Sequence, residues 1–295
     1  MNIATQLQNR LEYLLFIFFS KLFNLLGLKK ARKFSVVITL FFYYILPIRK
    51  SIVKKNLRIA FPLLSENDLN KLCFRVYRSF TITLVEILLL PFLPKEELNN
   101  QIKIKNIGLI SEKFRMRKGV ILLSAHFGNW EYIALSAAMK AGIPFSVVIK
   151  PQRNPYINTA MNNYRTKWGN KIVPLGISIR QIYKELKEKN VVAMVADQRG
   201  PREGVRVSFF NSEVSVYTGP AALAVKTGAP VIFGAAVRQP DYTYETELVE
   251  IPTNDLTGNE EEKILTLSQR HTLLLENLIH LYPEQWLWMH DRWKY

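Results

Sequence analysis

One cysteine, Cys73, is all the thiol that this chain of 295 residues carries. An internal disulfide is therefore excluded, and so is a cysteine-rich zinc site. Cys73 lies in a helix-like stretch and reads as core packing. Histidine is scarce too. His271, His280 and His290 stand far from His126 and show no ligand pattern, so no metal is expected. The nucleophile elbow Gly-x-Ser-x-Gly of a serine hydrolase is missing. There is no internal repeat, no low-complexity segment and no Ser/Gly linker.

Negative charge is missing from one long stretch. From Tyr13 to Ser65 there is no Asp or Glu, while Lys21, Lys29, Lys30, Arg32, Lys33, Arg49, Lys50, Lys54, Lys55 and Arg58 all fall there. The whole chain holds 40 Lys and Arg against 24 Asp and Glu, a net charge of +16. Such a surface should meet something anionic. The basic residues flank two apolar runs, "LEYLLFIFFSKLFNLLGL" from Leu11 and "FSVVITLFFYYILPI" from Phe34. Nucleic-acid arms rarely carry runs this apolar, so an anionic membrane surface is the expected partner. Glu12, Lys21 and Asn24 are costly at mid-bilayer, and the second run stops at Pro47. An in-plane or shallowly inserted helical hairpin is favoured over a single span, with two core helices as the third reading. No small-x-small cleavage site precedes Lys29-Lys30, so a signal peptide is not expected.

Residues 1–62 are thus read as a basic, apolar helical anchor and residues 63–295 as an α/β body. Ser65 with Asp68 three residues on marks a helix start, and the helix should run from about Glu66 to Leu90, before Pro91. From residue 100, short aliphatic runs alternate with stretches of helical period: "GVILLSA" (119–125), "FSVVIK" (145–150), "KIVPL" (171–175), "VVAMVA" (191–196) and "PVIFGAAV" (230–237). That alternation predicts a mostly parallel central sheet with helices on both faces. "YTYETELVEI" (242–251) alternates with period two and predicts one half-exposed antiparallel strand; a last helix is predicted near 260–281.

Chemistry concentrates at "LLSAHFGNWEY", Leu122 to Tyr132. His126 follows the strand, at the edge where open α/β sheets place their sites. Asn129 suits a helix N-cap, which puts Glu131 in the first turn. The Phe127-Gly128 turn is expected to fold that carboxylate back onto the imidazole. A carboxylate on one ring nitrogen fixes the tautomer and makes the other a stronger base. With no nucleophile elbow in the chain, the attacking group would be a hydroxyl of the substrate. A structural histidine at a strand end is the competing reading.

"HFGNWE" closely resembles the His-x4-acid motif of the lipid A late acyltransferases, the lauroyl and myristoyl transferase type. "NLRIAFP", "VIKPQRNPYIN" (148–158), "ADQRGPREGVRVSFFN" (196–211), "TGPAALAVKTGAPVI" (218–232) and "PEQWLWMHDRWK" (283–294) resemble that family's other blocks, in its order and over nearly the whole chain. Lys150 departs from the pattern, standing where the family often has arginine; charge is kept, but a planar bidentate contact is lost. The resemblance implies a glycerolipid-acyltransferase-like fold. It also implies transfer of an acyl chain from acyl-carrier protein, or else coenzyme A, to a hydroxyl of a lipid A precursor. No cofactor is implied, and the location would be the cytoplasmic face of the bacterial inner membrane. His126 would be the base, Glu131 its orienter and Arg153 the oxyanion donor. Lys150, Asn154, Asp197, Gln198, Arg199, Arg202 and Arg292 would bind substrate. Trp286, Trp288 and Trp293 would line the cleft or anchor at the interface. A glycerophospholipid or other glycolipid O-acyltransferase is the alternative, and a non-catalytic basic membrane- or nucleic-acid-binding protein the remote one.

Overall fold

The computed structural model describes residues 3–175 and 179–295. The chain opens with α1 (Ile3–Leu40), a π-helical turn (Phe41–Ile45) and α2 (Lys50–Ala60). The first helix is not straight: Gly27, at φ +73°, has non-helical backbone angles. Phe23 and Phe34 then meet with ring centroids 6.0 Å apart. Eleven residues of straight helix would hold them roughly 16 Å apart, so the chain folds back at Gly27. One residue from each apolar run thus meets across the bend, within one nearly continuous helical segment. Leu7, Leu14, Phe18, Leu25, Tyr44 and Ile45 on this segment face outward. The segment Ile3–Ile45 is long and apolar enough to cross a bilayer.

Next come α3 (Glu66–Leu89), α4 (Lys95–Gln101), β1 (Ile102–Ile104) and α5 (Gly108–Arg115). The Ser65 hydroxyl accepts from the Asp68 amide at 3.1 Å, capping α3 as its spacing predicts. Cys73 is fully buried in α3. The alternating part runs β2 (Val120–Ser124), α6 (Trp130–Ala141), β3 (Phe145–Ile149), α7 (Pro155–Thr166), β4 (Lys171–Pro174), α8 (Ile179–Lys187) and β5 (Val191–Val195). A hairpin of β6 (Arg206–Phe209) and β7 (Ser212–Ser215) follows, then α9 (Gly219–Thr227), β8 (Val231–Phe233), β9 (Val237–Arg238), β10 (Tyr244–Thr246), β11 (Val249–Ile251) and α10 (Glu260–Leu281).

The central sheet has the order β11-β8-β2-β5-β3-β4, parallel except for β11. Its strands are nearly continuous aliphatic runs because both faces are covered. Leu122, Ala193 and Phe145 pack with Ile133 and Ala137 of α6 on one face. Leu123 and Met194 pack with Ile182 of α8 and Leu223 of α9 on the other. The expected single strand at 242–251 is instead two. β10 joins a small sheet with β1 and β9, and β11 crosses to the central sheet to pair with β8. Leu248, between them, is buried and packs in the α6-side core; the alternation runs from Tyr244 to Leu248 and slips by one residue in β11, where Glu250 is exposed and Ile251 buried.

The turn after β2 depends on one glycine. Gly128 has φ +52°, and a Cβ there would overlap the carbonyl oxygen of Ala236. Backbone cannot yield as a side-chain tip would. Gly128→Ala is therefore expected to cost about 3 kcal/mol and lower Tm by roughly 5–10 °C. A thermal melt coinciding with the parent's would show that the turn relaxes freely.

Candidate active site

The site is built where β2 and β5 end side by side. Their register pairs Ser124 with Val195, so residues two further along, His126 and Asp197, come to lie opposite one another. The Asp197 carboxylate accepts from the His126 backbone N–H at 2.9 Å and lies 2.7 Å from His126 Nδ1. It also accepts from the Trp286 indole at 2.9 Å. Trp286 belongs to a C-terminal segment that pairs antiparallel with the turn: Gly128 N–H donates to Gln285 O, and Leu287 N–H to His126 O. Three distant parts of the chain thus converge on one imidazole.

Burial alone would raise the pKa of Asp197. The His126 ring beside it and the bonds from His126 and Trp286 outweigh that and hold it far below the usual carboxylate range. Burial likewise lowers the His126 pKa, but Asp197 overrides it and the net direction is upward. An ionised Asp197 only accepts, so Nδ1 carries the proton and Nε2 is left with a basic lone pair. His271 and His290 differ: both are pushed down to about 4, mainly by burial. His290 Nε2 accepts from the Arg199 backbone N–H at 3.1 Å.

His126 lines a cavity of about 1450 Å³. That exceeds the roughly 300–1,000 Å³ of ordinary small-molecule pockets. It wraps the carboxyl edge of the sheet, with Ile133, Ala137 and Phe145 on the α6 side and Ile182, Met194 and Leu223 on the α8–α9 side. Most of its wall is apolar. A histidine held by a carboxylate thus lies on the wall of a large, mostly apolar cavity, an arrangement that suits a reaction on lipid chains.

The expected contact between Glu131 and the imidazole is not the one the structure makes. Glu131 is held by Arg165 of α7, with Oε2 accepting from Nε at 2.9 Å and Oε1 from Nη2 at 2.5 Å. In the first turn of α6, Trp130 meets the His126 ring, at 5.1 Å between centroids, and Glu131 points toward α7. Asp197, rather than Glu131, is the carboxylate beside the imidazole.

The bacterial lipid A biosynthesis acyltransferase family model matches residues 3–295. The chain belongs to that family. It is an acyltransferase. It is 27% identical to a lipid A biosynthesis lauroyltransferase of Escherichia coli, over 83% of this chain and 79% of that one. It is 25% identical to a lipid A biosynthesis palmitoleoyltransferase of the same organism, with the same coverage. A phosphatidylinositol mannoside acyltransferase of Mycolicibacterium smegmatis is 26% identical over 48% of this chain and 47% of that one.

In this acyltransferase the other candidates separate by position. Lys150, Arg153 and Gln198 line the cavity. Arg153 is largely exposed, and its guanidinium pairs with Glu12 of α1. Asn154 is buried; it caps α7 and donates to Asn9 O and to Glu12. Arg199 binds Asp291 O at 2.9 Å and covers the Tyr295 ring. Arg202 is exposed on its loop. Arg292 is buried, donating to Ser215 O at 2.5 Å beneath the Phe209 ring. Trp286 and Trp288 are buried core aromatics rather than an exposed belt. Arg165 carried no signal beyond being one basic residue on an amphipathic helix.

Removing one partner of a buried ion pair strands the other charge. Glu131→Gln and Arg165→Met should therefore each destabilise the fold by about 3 kcal/mol, and the double variant should recover most of the loss. Strictly additive losses in denaturant melts would mean that the two side chains do not act as a pair.

Proposed function

We propose that this acyltransferase moves a fatty acyl chain from the thioester of acyl-carrier protein to a hydroxyl of a lipid A precursor. The place of reaction would be the cytoplasmic face of the bacterial inner membrane, with His126 as general base. The observation that carries the reading is the His126–Asp197 pair, with Nδ1 engaged by the carboxylate and His126 on the wall of the apolar cavity. The lipid A names of the full-length relatives support the acceptor class. The exposed apolar face of α1 and its lysine and arginine collar support work at an anionic membrane.

In this reading Nε2 takes the proton of the acceptor hydroxyl as its oxygen attacks the thioester carbonyl. A C–O bond forms, and the carbonyl becomes a tetrahedral oxyanion. Collapse breaks the C–S bond. The departing thiolate takes the proton from Nε2, giving an ester, a free thiol and the neutral imidazole again. Asp197 keeps the tautomer fixed and stabilises the imidazolium between the two proton transfers. Lys150, Arg153 and Gln198, among the polar residues of the cavity wall, would receive carbonyl or phosphate oxygens. Arg153 would leave Glu12 to do so. Glu131 would act through Arg165, shaping the wall beside the base.

A glycolipid acceptor of another kind is the second reading, favoured by the mannoside acyltransferase relative. Its match covers about half of each chain.

The test offers purified protein a tetra-acylated lipid A precursor and acyl-carrier protein charged with chains of graded length, with products weighed by mass spectrometry. One added acyl group is expected. His126→Ala should abolish it while vesicle binding stays unchanged. Acylation of phosphatidylinositol mannoside alone would favour the second reading, and undiminished turnover in His126→Ala would place the base elsewhere.

A further inference from the structure

Glu86 of α3 is a fully buried carboxylate for which the reaction above has no use. Its Oε1 accepts from Arg32 Nε at 2.7 Å. Its Oε2 accepts from Asn129 Nδ2 at 2.9 Å and from the Tyr244 hydroxyl at 2.5 Å. The Tyr244 oxygen in turn accepts from Arg238 Nε at 2.8 Å, and Arg238 donates to the Thr83 hydroxyl at 2.6 Å. Thr83 then donates to Gly128 O at 2.7 Å. One polar cluster thus grips Gly128 and Asn129, two consecutive residues of the turn that follows His126. Its other end is Arg32, on the distal half of the bent N-terminal helix, which also donates to Gln101 Oε1 of α4 at 2.9 Å.

Burying a carboxylate this deeply is costly, and an apolar side chain would fill the space between helices at lower cost. What an apolar residue cannot do is choose an orientation for Asn129. A carboxylate only accepts, so the Asn129 amide must turn its NH₂ toward Glu86. That leaves Asn129 Oδ1 to accept from Tyr132 N–H at 3.0 Å, the bond that caps α6. The capped first turn of α6 carries Trp130 against the His126 ring and Glu131 against Arg165.

We propose that Glu86 is a positioning residue for acyl transfer. Through Asn129 it sets the turn between His126 and Glu131, and through Arg32 it ties that turn to the seating of the membrane-facing N-terminal helix. The activity readout rests on the function proposed above; the structural readout does not.

The test exchanges donor for acceptor. Glu86→Gln keeps the shape but turns an NH₂ toward Asn129, whereas Asn129→Asp sets two carboxylates face to face. The double variant restores a donor opposite an acceptor. Each single change should lower kcat at least about tenfold while KM moves less than about twofold, and the double should regain most of the loss. Amide hydrogen exchange at Tyr132 should speed up in both single variants and slow again in the double. Arg32→Met should also speed it, if the N-terminal helix is coupled as stated. Asn129→Ser keeps a capping oxygen but cannot reach Glu86, so it too should lower kcat even where Glu86→Gln fails to fold. Wild-type kcat and exchange in folded Glu86→Gln or in Asn129→Ser would overturn the positioning role. So would a double variant no better than the worse single. Unchanged Tyr132 exchange in Arg32→Met would overturn the link to the N-terminal helix. Should the wild type transfer no acyl group, the function fails while the exchange data still decide the positioning.

Discussion

The Asp197 carboxylate is the interaction on which the rest of the site depends. It closes β5 and accepts from the His126 backbone, the His126 ring and the Trp286 indole at once. Such a group is tolerable inside a protein only when its oxygens are engaged. Meeting that condition joins the two central strands to the C-terminal segment and fixes the imidazole tautomer in the same stroke. The same convergence sets the His126–Asp197 pair into the wall of the apolar cavity.

Three carboxylates surround one short turn, and each has a different partner. Asp197 holds the ring, Glu131 holds Arg165 in the cavity wall, and Glu86 holds the Asn129 amide. The N-terminal helix reaches this arrangement twice. Its first half meets α7 through Glu12, which binds Arg153 and Asn154, and its second half meets α3 through Arg32. The segment with the most exposed apolar surface is thus linked by ionic and hydrogen-bonded contacts to the loops at the sheet edge. Under the proposed function, which draws one substrate from a membrane and another from solution, such a link has a physical use.

Much of the fold was legible in the chain because burial on both sides of a parallel sheet leaves unbroken aliphatic runs. The runs beginning at Val120, Phe145 and Val191 became β2, β3 and β5 within a residue or so of the expected bounds. The 242–251 segment misled because period two reports alternate burial, not which sheet buries it. His126 was legible as the end of a run, and Asn129 as a cap. Its partner was not, because Glu131 is near in sequence whereas Asp197 is 71 residues away. Strand order puts β5 beside β2, and no local pattern encodes strand order. Helix geometry decided the rest: the first turn of α6 aims Glu131 at α7 and away from the ring. Arg32 reads in the sequence as one of the basic collar, yet it is buried against Glu86, since nothing local marks a charge that tertiary packing will bury.

The central claim is that Asp197, and not Glu131, sets the protonation of His126. The most direct measurement is the pH dependence of kcat/KM for the parent, Asp197→Asn and Glu131→Gln proteins. A base must be neutral to act, so the rate should rise with pH through the His126 pKa, which Asp197 holds upward. Asp197→Asn should move that acid limb to lower pH and depress the plateau, because the tautomer is no longer fixed. Glu131→Gln should shift the limb less. A limb that stays in place in Asp197→Asn, or moves further in Glu131→Gln, would contradict the account.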